Sequence, residues 1–191
     1  MKTQTIIAIR FLLVMTILTG IIYPFFMTGV AQIAFPAKAN GSLVKAGGKN
    51  IGSELIGQKF DSSIYFWSRP SAIDYNPIPS GASNLGPTSD ELKKQVAERR
   101  RLFASNNSLA DTSAIPKEML FASASGLDPH ISPEAALLQL KRVAMARNLN
   151  GTQKQNVQQL IKNKTEEPQF FLFGERRINV FELNLALDSI K

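Results

Sequence analysis

The apolar positions at the start of the chain form one uninterrupted block. From Phe11 to Ala37, 27 consecutive residues carry no formal charge, and most of them are Ile, Leu, Val, Phe or Met. A helix needs about 20 such residues to cross a bilayer, whereas the apolar core of a cleaved signal peptide has about 7 to 15. The pattern predicts a short tail, residues 1–10, followed by an uncleaved transmembrane helix over residues 11–37.

Small residues recur within this block at a spacing of four. Thr16, Gly20 and Pro24 therefore lie on one helical face. Small side chains let a second transmembrane helix approach closely, so this face is a candidate packing surface. A lone anchor, in which Gly20 and Pro24 have no such role, is the alternative that the segment leaves open.

The rest of the chain alternates between helical and extended patterns. The glycines of residues 38–52 indicate a flexible linker, and residues 53–191 a soluble domain. Capping patterns and apolar stripes predict helices from Thr88 to about Phe103, from Ser132 to about Arg147, from Thr152, and from Asn179 to Ile190. Apolar runs predict strands at residues 60–67, 119–122 and 170–173. The order of these elements predicts an α+β (mixed α/β) domain preceded by one transmembrane helix.

Two features of the composition narrow the chemistry. The 22 Lys and Arg residues exceed the 15 Asp and Glu residues, but their one tight cluster is Arg99–Arg101, which argues against nucleic-acid binding. The absence of cysteine excludes disulfides, thiol catalysis and thiolate metal sites. With one histidine and scattered carboxylates besides, the sequence predicts no metal site.

No catalytic motif is complete. Gly48-Lys49 is followed by Asn50, so there is no P-loop, and no Asp-Lys-Thr-Gly stretch for self-phosphorylation is present. His130 follows Asp128 by two residues and Ser125 by five, but a G-x-S-x-G elbow is missing, and local backbone bonding is the favoured role for these side chains. We therefore predict no catalytic residue.

Two loops are rich in Gly, Ser and Asn. One is Ser80-Gly81-Ala82-Ser83-Asn84, within a proline-rich stretch from Arg69 to Thr88, and the other is Ser123-Ala124-Ser125-Gly126. Such loops either form ordinary turns or present backbone N–H groups to a phosphate. The first stretch is too long for a simple turn, and ordered loops of this length are usually functional.

Several ordered blocks resemble one family. They are Arg69-Pro70-Ser71-Ala72, Asp74-Tyr75-Asn76, Ser80 to Asn84, Ser125 to Ser132, Gln139 with Arg142 and Arg147, Arg177 to Val180, and Leu183-Asn184. In this order they are similar to the C subunits of bacterial Kdp-type potassium-transporting P-type ATPases. The resemblance covers the anchor and nearly the whole domain.

The resemblance implies a non-catalytic accessory subunit. Its partners would be a potassium-channel-like subunit, an ATP-hydrolysing P-type subunit and a small single-span subunit. The C subunit is described as a catalytic chaperone that raises the ATP affinity of the hydrolysing subunit, so ATP would be met only through the complex, with no cofactor of the chain's own. The candidate nucleotide or docking residues are Arg69, Ser71, Asp74, Asn76, Ser80, Gly81, Ser83, Asn84, Ser125, Gly126, Asp128 and His130.

The short basic tail, with Lys2 and Arg10, favours an N-terminus in the cytoplasm and a periplasmic domain at the bacterial inner membrane. A domain on that side cannot meet cytosolic ATP, so an effect on ATP affinity would have to pass through partner subunits. Two alternatives remain open from the sequence: a membrane-anchored extracytoplasmic hydrolase and a stand-alone adhesion or sensor domain.

Overall fold

The computed structural model describes residues 2–190, and the chain divides into two compact units, Met1–Ser53 and Glu54–Lys191. Met1 and Lys191, the end residues of the predicted tail and domain, lie outside the described residues. The first unit contains the apolar helix and a small hairpin. The second contains the helices, the small sheet and the two loops discussed below.

The apolar helix is continuous from Lys2 to Ala34 and, by length and composition, is suited to cross a membrane. It consists of α1 (Lys2–Ile17), a π-helical turn (Leu18–Ile22) and α2 (Tyr23–Ala34). The helix includes most of the predicted tail and ends before residue 37. It stops because Phe35, with φ of −140°, precedes Pro36, and a residue before proline avoids the helical region.

The π-helical turn lies directly before Pro24. Proline cannot donate a backbone hydrogen bond, and its ring crowds the turn that precedes it. The Tyr23 N–H bonds to the Leu18 carbonyl, five residues back, which widens the helix at this point. The hydroxyls of Thr19 and Thr28 donate to carbonyls four residues earlier, at 2.7 and 2.8 Å, so both are satisfied inside the helix.

The segment predicted to be a flexible linker, residues 38–52, is ordered. A short helix α3 (Pro36–Ala39) leads into an antiparallel hairpin of β1 (Leu43–Ala46) and β2 (Lys49–Ser53). Gly47 and Gly48 connect the strands with φ of 56° and 78°, and two positive φ values are what a tight two-residue hairpin turn requires. These glycines therefore form a turn and do not provide flexibility.

The second unit packs four helices around a small antiparallel sheet. The helices are α4 (Asp90–Asn107), α5 (Pro133–Ala146), α6 (Gly151–Asn163) and α7 (Val180–Asp188). The strands β3 (His130–Ile131), β4 (Thr165–Glu166) and β5 (Arg177–Asn179) lie in the order β3-β5-β4. Helices combined with small antiparallel sheets after an apolar N-terminal helix confirm the predicted fold class.

The first residues of the helices lie at or within two residues of the positions that the capping patterns predicted. Ser132 caps α5 with Pro133 in its first turn, and Asn179 caps α7, both as predicted. Ser89, one residue after the predicted Thr88, caps α4, and the capping box of α6 is Asn150 with Gln153, two residues before the predicted pair. The apolar stripes were placed correctly on α6 and α7, where Val157, Ile161, Leu183 and Leu187 are buried.

The three strands predicted from apolar runs are wrong. Residues 119–122 start at the last residue of a short 3-10 helix, Lys117–Met119, and continue as a turn, and residues 170–173 form an exposed turn. Residues 60–67 have no strand partner among residues 2–190, although Phe66 is fully buried. These three segments have high β-propensity because most of their side chains are large and apolar. Those side chains are either buried or exposed to solvent, and the segments do not join a sheet.

Side-chain amides replace the missing sheet partner at residues 66 and 67. The Asn184 amide accepts from the Phe66 N–H and donates to its carbonyl, both at 2.9 Å. Gln139 makes the equivalent pair with Trp67, at 2.7 and 3.3 Å. Each amide presents one acceptor and one donor to a backbone residue, as a neighbouring strand would.

Arg142 completes this network from α5. Its guanidinium donates to the carbonyls of Ser63 and Tyr65 at 2.6 and 2.9 Å, and to the side chains of Asn107 and Gln139 at 3.0 and 2.7 Å. It also lies over the Trp67 ring, 4.1 Å from the ring centroid. Burial lowers the pKa of Arg142 to about 10. These four backbone and amide oxygens solvate the buried guanidinium, and none of them belongs to a carboxylate.

We expect Asn184→Leu to lower the free energy of unfolding by about 2–4 kcal/mol, because the Phe66 N–H and carbonyl would lose their partners in a buried place. Denaturant unfolding of the full chain in detergent, followed by fluorescence of Trp67, the chain's one tryptophan, measures this. Asn156→Leu on the exposed side of α6 is the matched control and should change stability little. Equal effects of both substitutions would contradict a role for the amide contacts.

Candidate functional site

The two Gly, Ser and Asn loops meet. The Gly81 N–H donates to the Ser125 carbonyl at 3.2 Å, and the Ser123 N–H donates to the Pro70 carbonyl at 3.4 Å. Gly126 lies at this junction with φ of 70°, and a Cβ there would fall 2.5 Å from Cγ1 of Ile73. Only glycine fits both the backbone conformation and the space. The sequence suggested two separate loops, and the structure joins them into one surface, here called the paired-loop surface (residues 69–84 and 123–132).

Internal hydrogen bonds order the first loop. The Ser71 hydroxyl accepts from the N–H groups of Ile73 and Tyr75 at 3.2 and 3.0 Å, and the Asn76 side chain accepts from the Ile78 N–H at 3.1 Å. The Tyr75 hydroxyl donates to the Arg69 carbonyl, and burial raises the pKa of Tyr75 to about 12. Ser71 and Asn76 therefore stabilise turns.

Asp74 has a different environment at the surface. Its carboxylate forms an ion pair with Lys59 at 2.7 Å, and both side chains are half-exposed or more. Asp74 adopts a positive φ of 51°, which Asp tolerates better than most residues. An exposed pair of this kind contributes little to stability. Asp74 thus remains accessible to solvent on the paired-loop surface.

An ion pair joins the two loops. Nη1 of Arg69 lies 2.5 Å from Oδ2 of Asp128, and Oδ1 of Asp128 accepts from the His130 N–H at 2.9 Å. Nδ1 of His130 lies 3.3 Å from the same Oδ1. Asp128 therefore holds Arg69 from one loop and the backbone of His130 from the other.

This position sets the acidity of Asp128. Burial alone would raise the pKa of Asp128, but the hydrogen bonds from His130 and the neighbouring Arg69 guanidinium outweigh burial and lower this pKa to about 2. The carboxylate is therefore ionised across the ordinary range of pH. Its charge is used to hold the two loops together.

Apart from Ile78, which is 81% exposed, and the prolines on either side of it, the exposed part of the paired-loop surface consists of short, mostly polar side chains. The side chains of Ser80, Ser83, Asn84 and Ser125 are exposed, whereas Gly81 is half-buried at the junction. Asn84 has a positive φ of 53°. The loops therefore present short side chains on an internally fixed backbone.

A groove of about 620 Å³ lies beside the ion pair. Arg69, Asp128 and His130 line one side, and residues of the 166–177 connection, including Phe173 and Gly174, line the other. Carboxylates outnumber cationic side chains in this lining, since Glu118, Glu166, Glu167 and Glu175 join Asp128. The groove does not have the charge expected of a phosphate site.

The side chains around His130 are not hydrogen-bonded to one another as in a catalytic triad. The Ser125 hydroxyl accepts from the Leu127 N–H, and the Ser132 hydroxyl accepts from the Ala135 N–H as the cap of α5. Asp128 is shared with Arg69, so it does not serve to orient His130 alone. Within residues 2–190, no group of three His, Cys, Asp or Glu side chains could hold a metal ion.

Comparison with known proteins identifies the chain's relatives. The sequence model of the family described as KdpC, the c chain of the K⁺-transporting ATPase, matches residues 5–189. The chain belongs to the KdpC family. As a member of this family it is a non-catalytic subunit of the Kdp potassium-uptake ATPase complex.

Individual relatives agree over nearly the whole length. The potassium-transporting ATPase KdpC subunit of Geobacter metallireducens is 49% identical over 190 residues, which covers 96% of each chain. The KdpC subunit of Leptospira interrogans is 46% identical over 183 residues, with 96% of this chain and 92% of the relative covered. The resemblance inferred from the motif blocks is thereby confirmed.

Sequence reasoning missed one feature beside the groove. Residues 170–173 are large, apolar and exposed, although they were predicted to form a strand. Their position between Pro168 and Gly174 could have indicated this. Proline and glycine so close together favour a tight turn over a strand that pairs with another.

We expect Asp128→Asn to lower the free energy of unfolding by about 1–2 kcal/mol at pH 7. A carboxylate whose pKa is lowered by folding stabilises the protein above its unfolded pKa of 3.8, and this contribution is lost as pH falls toward about 2. The difference between wild type and variant should therefore shrink from pH 4 to pH 2 in denaturant titrations. Asp74→Asn is the control and should have a small effect throughout. A difference that did not depend on pH would contradict this account.

Proposed function

We propose that this chain assembles the Kdp complex and acts as a catalytic chaperone, using the paired-loop surface to dock onto another subunit. The observation that carries the proposal is the Arg69–Asp128 ion pair, which joins the two loops into one surface without creating a reactive group. A fixed surface of mostly short side chains, with Ile78 as its one large exposed apolar residue, suits complementary packing against a protein, because little side-chain freedom is lost on contact.

The proposed partners follow from the family. They are a potassium-channel-like subunit, an ATP-hydrolysing P-type subunit and a small single-span subunit. We place the chain in the bacterial inner membrane with its N-terminus in the cytoplasm and its domain in the periplasm, as the short basic tail favours.

In this topology the chain raises ATP affinity at a distance. The domain stabilises the conformation of its partners in which the hydrolysing subunit binds ATP more tightly, so that docking and ATP binding are coupled free energies. The same linkage requires that ATP strengthen docking of the chain by the same factor. Direct contact with ATP is not needed for either effect.

The buried contacts of Arg69 change which residues should touch the partner. Arg69 is one of the candidate docking residues, but its Nη1 pairs with Asp128 inside the chain. The exposed residues Ser80, Ser83 and Asn84 are better placed for a contact. The candidate residues therefore fall into two groups: those such as Arg69 that support the loops from inside, and those such as Ser83 that are exposed to a partner.

We expect Ser83→Arg to raise the apparent KM for ATP of the reconstituted complex by about fivefold or more, because a bulky charged side chain would block close docking. Asn156→Arg, which adds the same charge to an exposed position of α6, is the matched control and should leave the KM for ATP unchanged. Both values come from potassium-stimulated ATPase assays at varied ATP concentration.

A different result would replace docking with direct nucleotide binding. In that case the purified full chain would bind ATP tightly in detergent, and Ser83→Arg would abolish this binding while the complex still copurified intact. Failure of the wild-type chain to copurify with the other subunits would contradict the assembly role itself.

The transmembrane helix offers a second test of assembly. A Cβ at Gly20 would meet only Cγ2 of Thr16, at 4.0 Å, so a larger side chain is not hindered inside the chain. We expect Gly20→Leu to lower the yield of intact complex in mild detergent severalfold while membrane insertion is unchanged, because leucine would prevent close helix packing. Gly29→Leu, about half a turn away around the helix, is the control. Equal yields for both variants would contradict a packing role for Gly20.

A further inference from the structure

The connection between β4 and β5 ends in an exposed apolar turn. The backbones of Gln169 and Phe173 exchange two hydrogen bonds of 2.9 Å, which close the turn. Phe170, Phe171, Leu172 and Phe173 have exposed fractions of 82, 86, 80 and 67%. These four residues are here called the aromatic tip. Four adjacent large apolar side chains on display are unusual at the surface of a soluble domain.

The backbone of the tip is strained. Phe170 and Phe171 have φ of 54° and 60°, in the left-handed region that bulky residues rarely adopt. Asn or Gly at these positions would relieve the strain and remove exposed apolar surface at the same time. Strain of this kind persists only where the surrounding structure imposes it, and it clusters at functional sites.

Two ion pairs and one further carboxylate, Glu175, form a charged collar around the base of the tip. Glu166 pairs with Arg177 at 2.9 Å, and Glu167 pairs with Arg176 at 3.1 Å. An apolar centre inside a polar rim is the usual anatomy of a protein–protein contact, in which the rim excludes water from the centre. An anionic lipid surface instead attracts a net positive collar, which these two pairs do not provide.

The tip is continuous with the paired-loop surface. Phe173 and Gly174 line the same groove as Arg69, Asp128 and His130. A partner that covers the paired loops and the groove would therefore reach the tip in the same contact. This continuity, and a collar in which carboxylates outnumber arginines, favour a folded protein over an anionic lipid bilayer as the occupant.

We propose that the aromatic tip is an anchor that inserts into an apolar pocket on a neighbouring subunit of the complex. The inference rests on the proposed assembly function and names the residues that supply most of its binding energy. Phe171, the most exposed ring at the apex, is the centre of the contact. The two backbone hydrogen bonds between Gln169 and Phe173 hold the turn closed before binding, which reduces the ordering cost of association.

The test compares the dissociation of two variants from the assembled complex. Phe171→Asn removes the ring and suits a positive φ, so the folded chain should not be destabilised. Met145→Asn is the matched control, because Met145 is also a large apolar residue, 66% exposed, but lies on α5 outside the tip and groove. Exchange of the full chain against labelled wild-type chain in detergent-solubilised complex gives the dissociation rate.

We expect Phe171→Asn to dissociate about tenfold faster than wild type, and Met145→Asn at the wild-type rate. Unfolding of the free variant should occur at or above the wild-type denaturant concentration. Equal dissociation rates for wild type and Phe171→Asn would overturn the proposal. That result leaves the assembly function intact, whereas a wild-type chain that never joins the complex would contradict the assembly function.

A second measurement identifies the occupant. The chain has no cysteine, so Phe170→Cys gives one attachment point for a small environment-sensitive fluorophore, with Gln155→Cys on exposed α6 as the control. The proposal requires that the label at position 170 become shielded only when the partner subunits are added to chain in phosphatidylcholine nanodiscs. Quenching of this label by spin-labelled lipid, with or without partners, would assign the tip to the bilayer and overturn the proposal.

Discussion

The second unit depends on three polar side chains that take the place of a β-strand. Asn184, Gln139 and Arg142 bind the backbone of residues 63–67, which has no neighbouring strand within the described part of the chain. A buried backbone carbonyl or N–H without a hydrogen-bond partner destabilises the folded state by more free energy than most single contacts contribute. The buried position of Phe66 is possible only because Asn184 satisfies both of its backbone groups. Only Ser68 separates this segment from Arg69, so the same contacts fix where the paired-loop surface begins.

Helices in this chain were predictable because their signals are local. A capping side chain acts over three residues, and an apolar stripe repeats within two turns, so Ser132, Asn179 and the stripe of α6 could be identified from the sequence. The segment at residues 60–67 could not, because its partners lie far along the chain: Gln139 is 72 residues from Trp67, and Asn184 is 118 from Phe66. An amide that replaces a strand leaves no periodic pattern.

The site was predictable only in part for a related reason. The motif blocks identified both loops, but the sequence did not show that Arg69 pairs with Asp128 across 59 residues. Nor did it show that the residues which carry the resemblance divide into two groups. Gln139, Arg142 and Asn184 face inward and specify the fold, whereas Ser83 and Asn84 face solvent. The motif blocks were therefore enough to identify the family, but they did not show which of their residues could contact a partner.

The π-helical turn before Pro24 affects the direction of the small-residue face. In an α-helix, residues at a spacing of four drift by about 40° around the axis with each step. A π-helical turn has more residues per turn, so the drift over Thr16, Gly20 and Pro24 is largely cancelled. The three residues then form a line nearly parallel to the helix axis and not a winding stripe. A straight line of small residues is matched best by a second helix that runs alongside at a shallow crossing angle over two turns, and a steeply crossed helix would meet it at one point only.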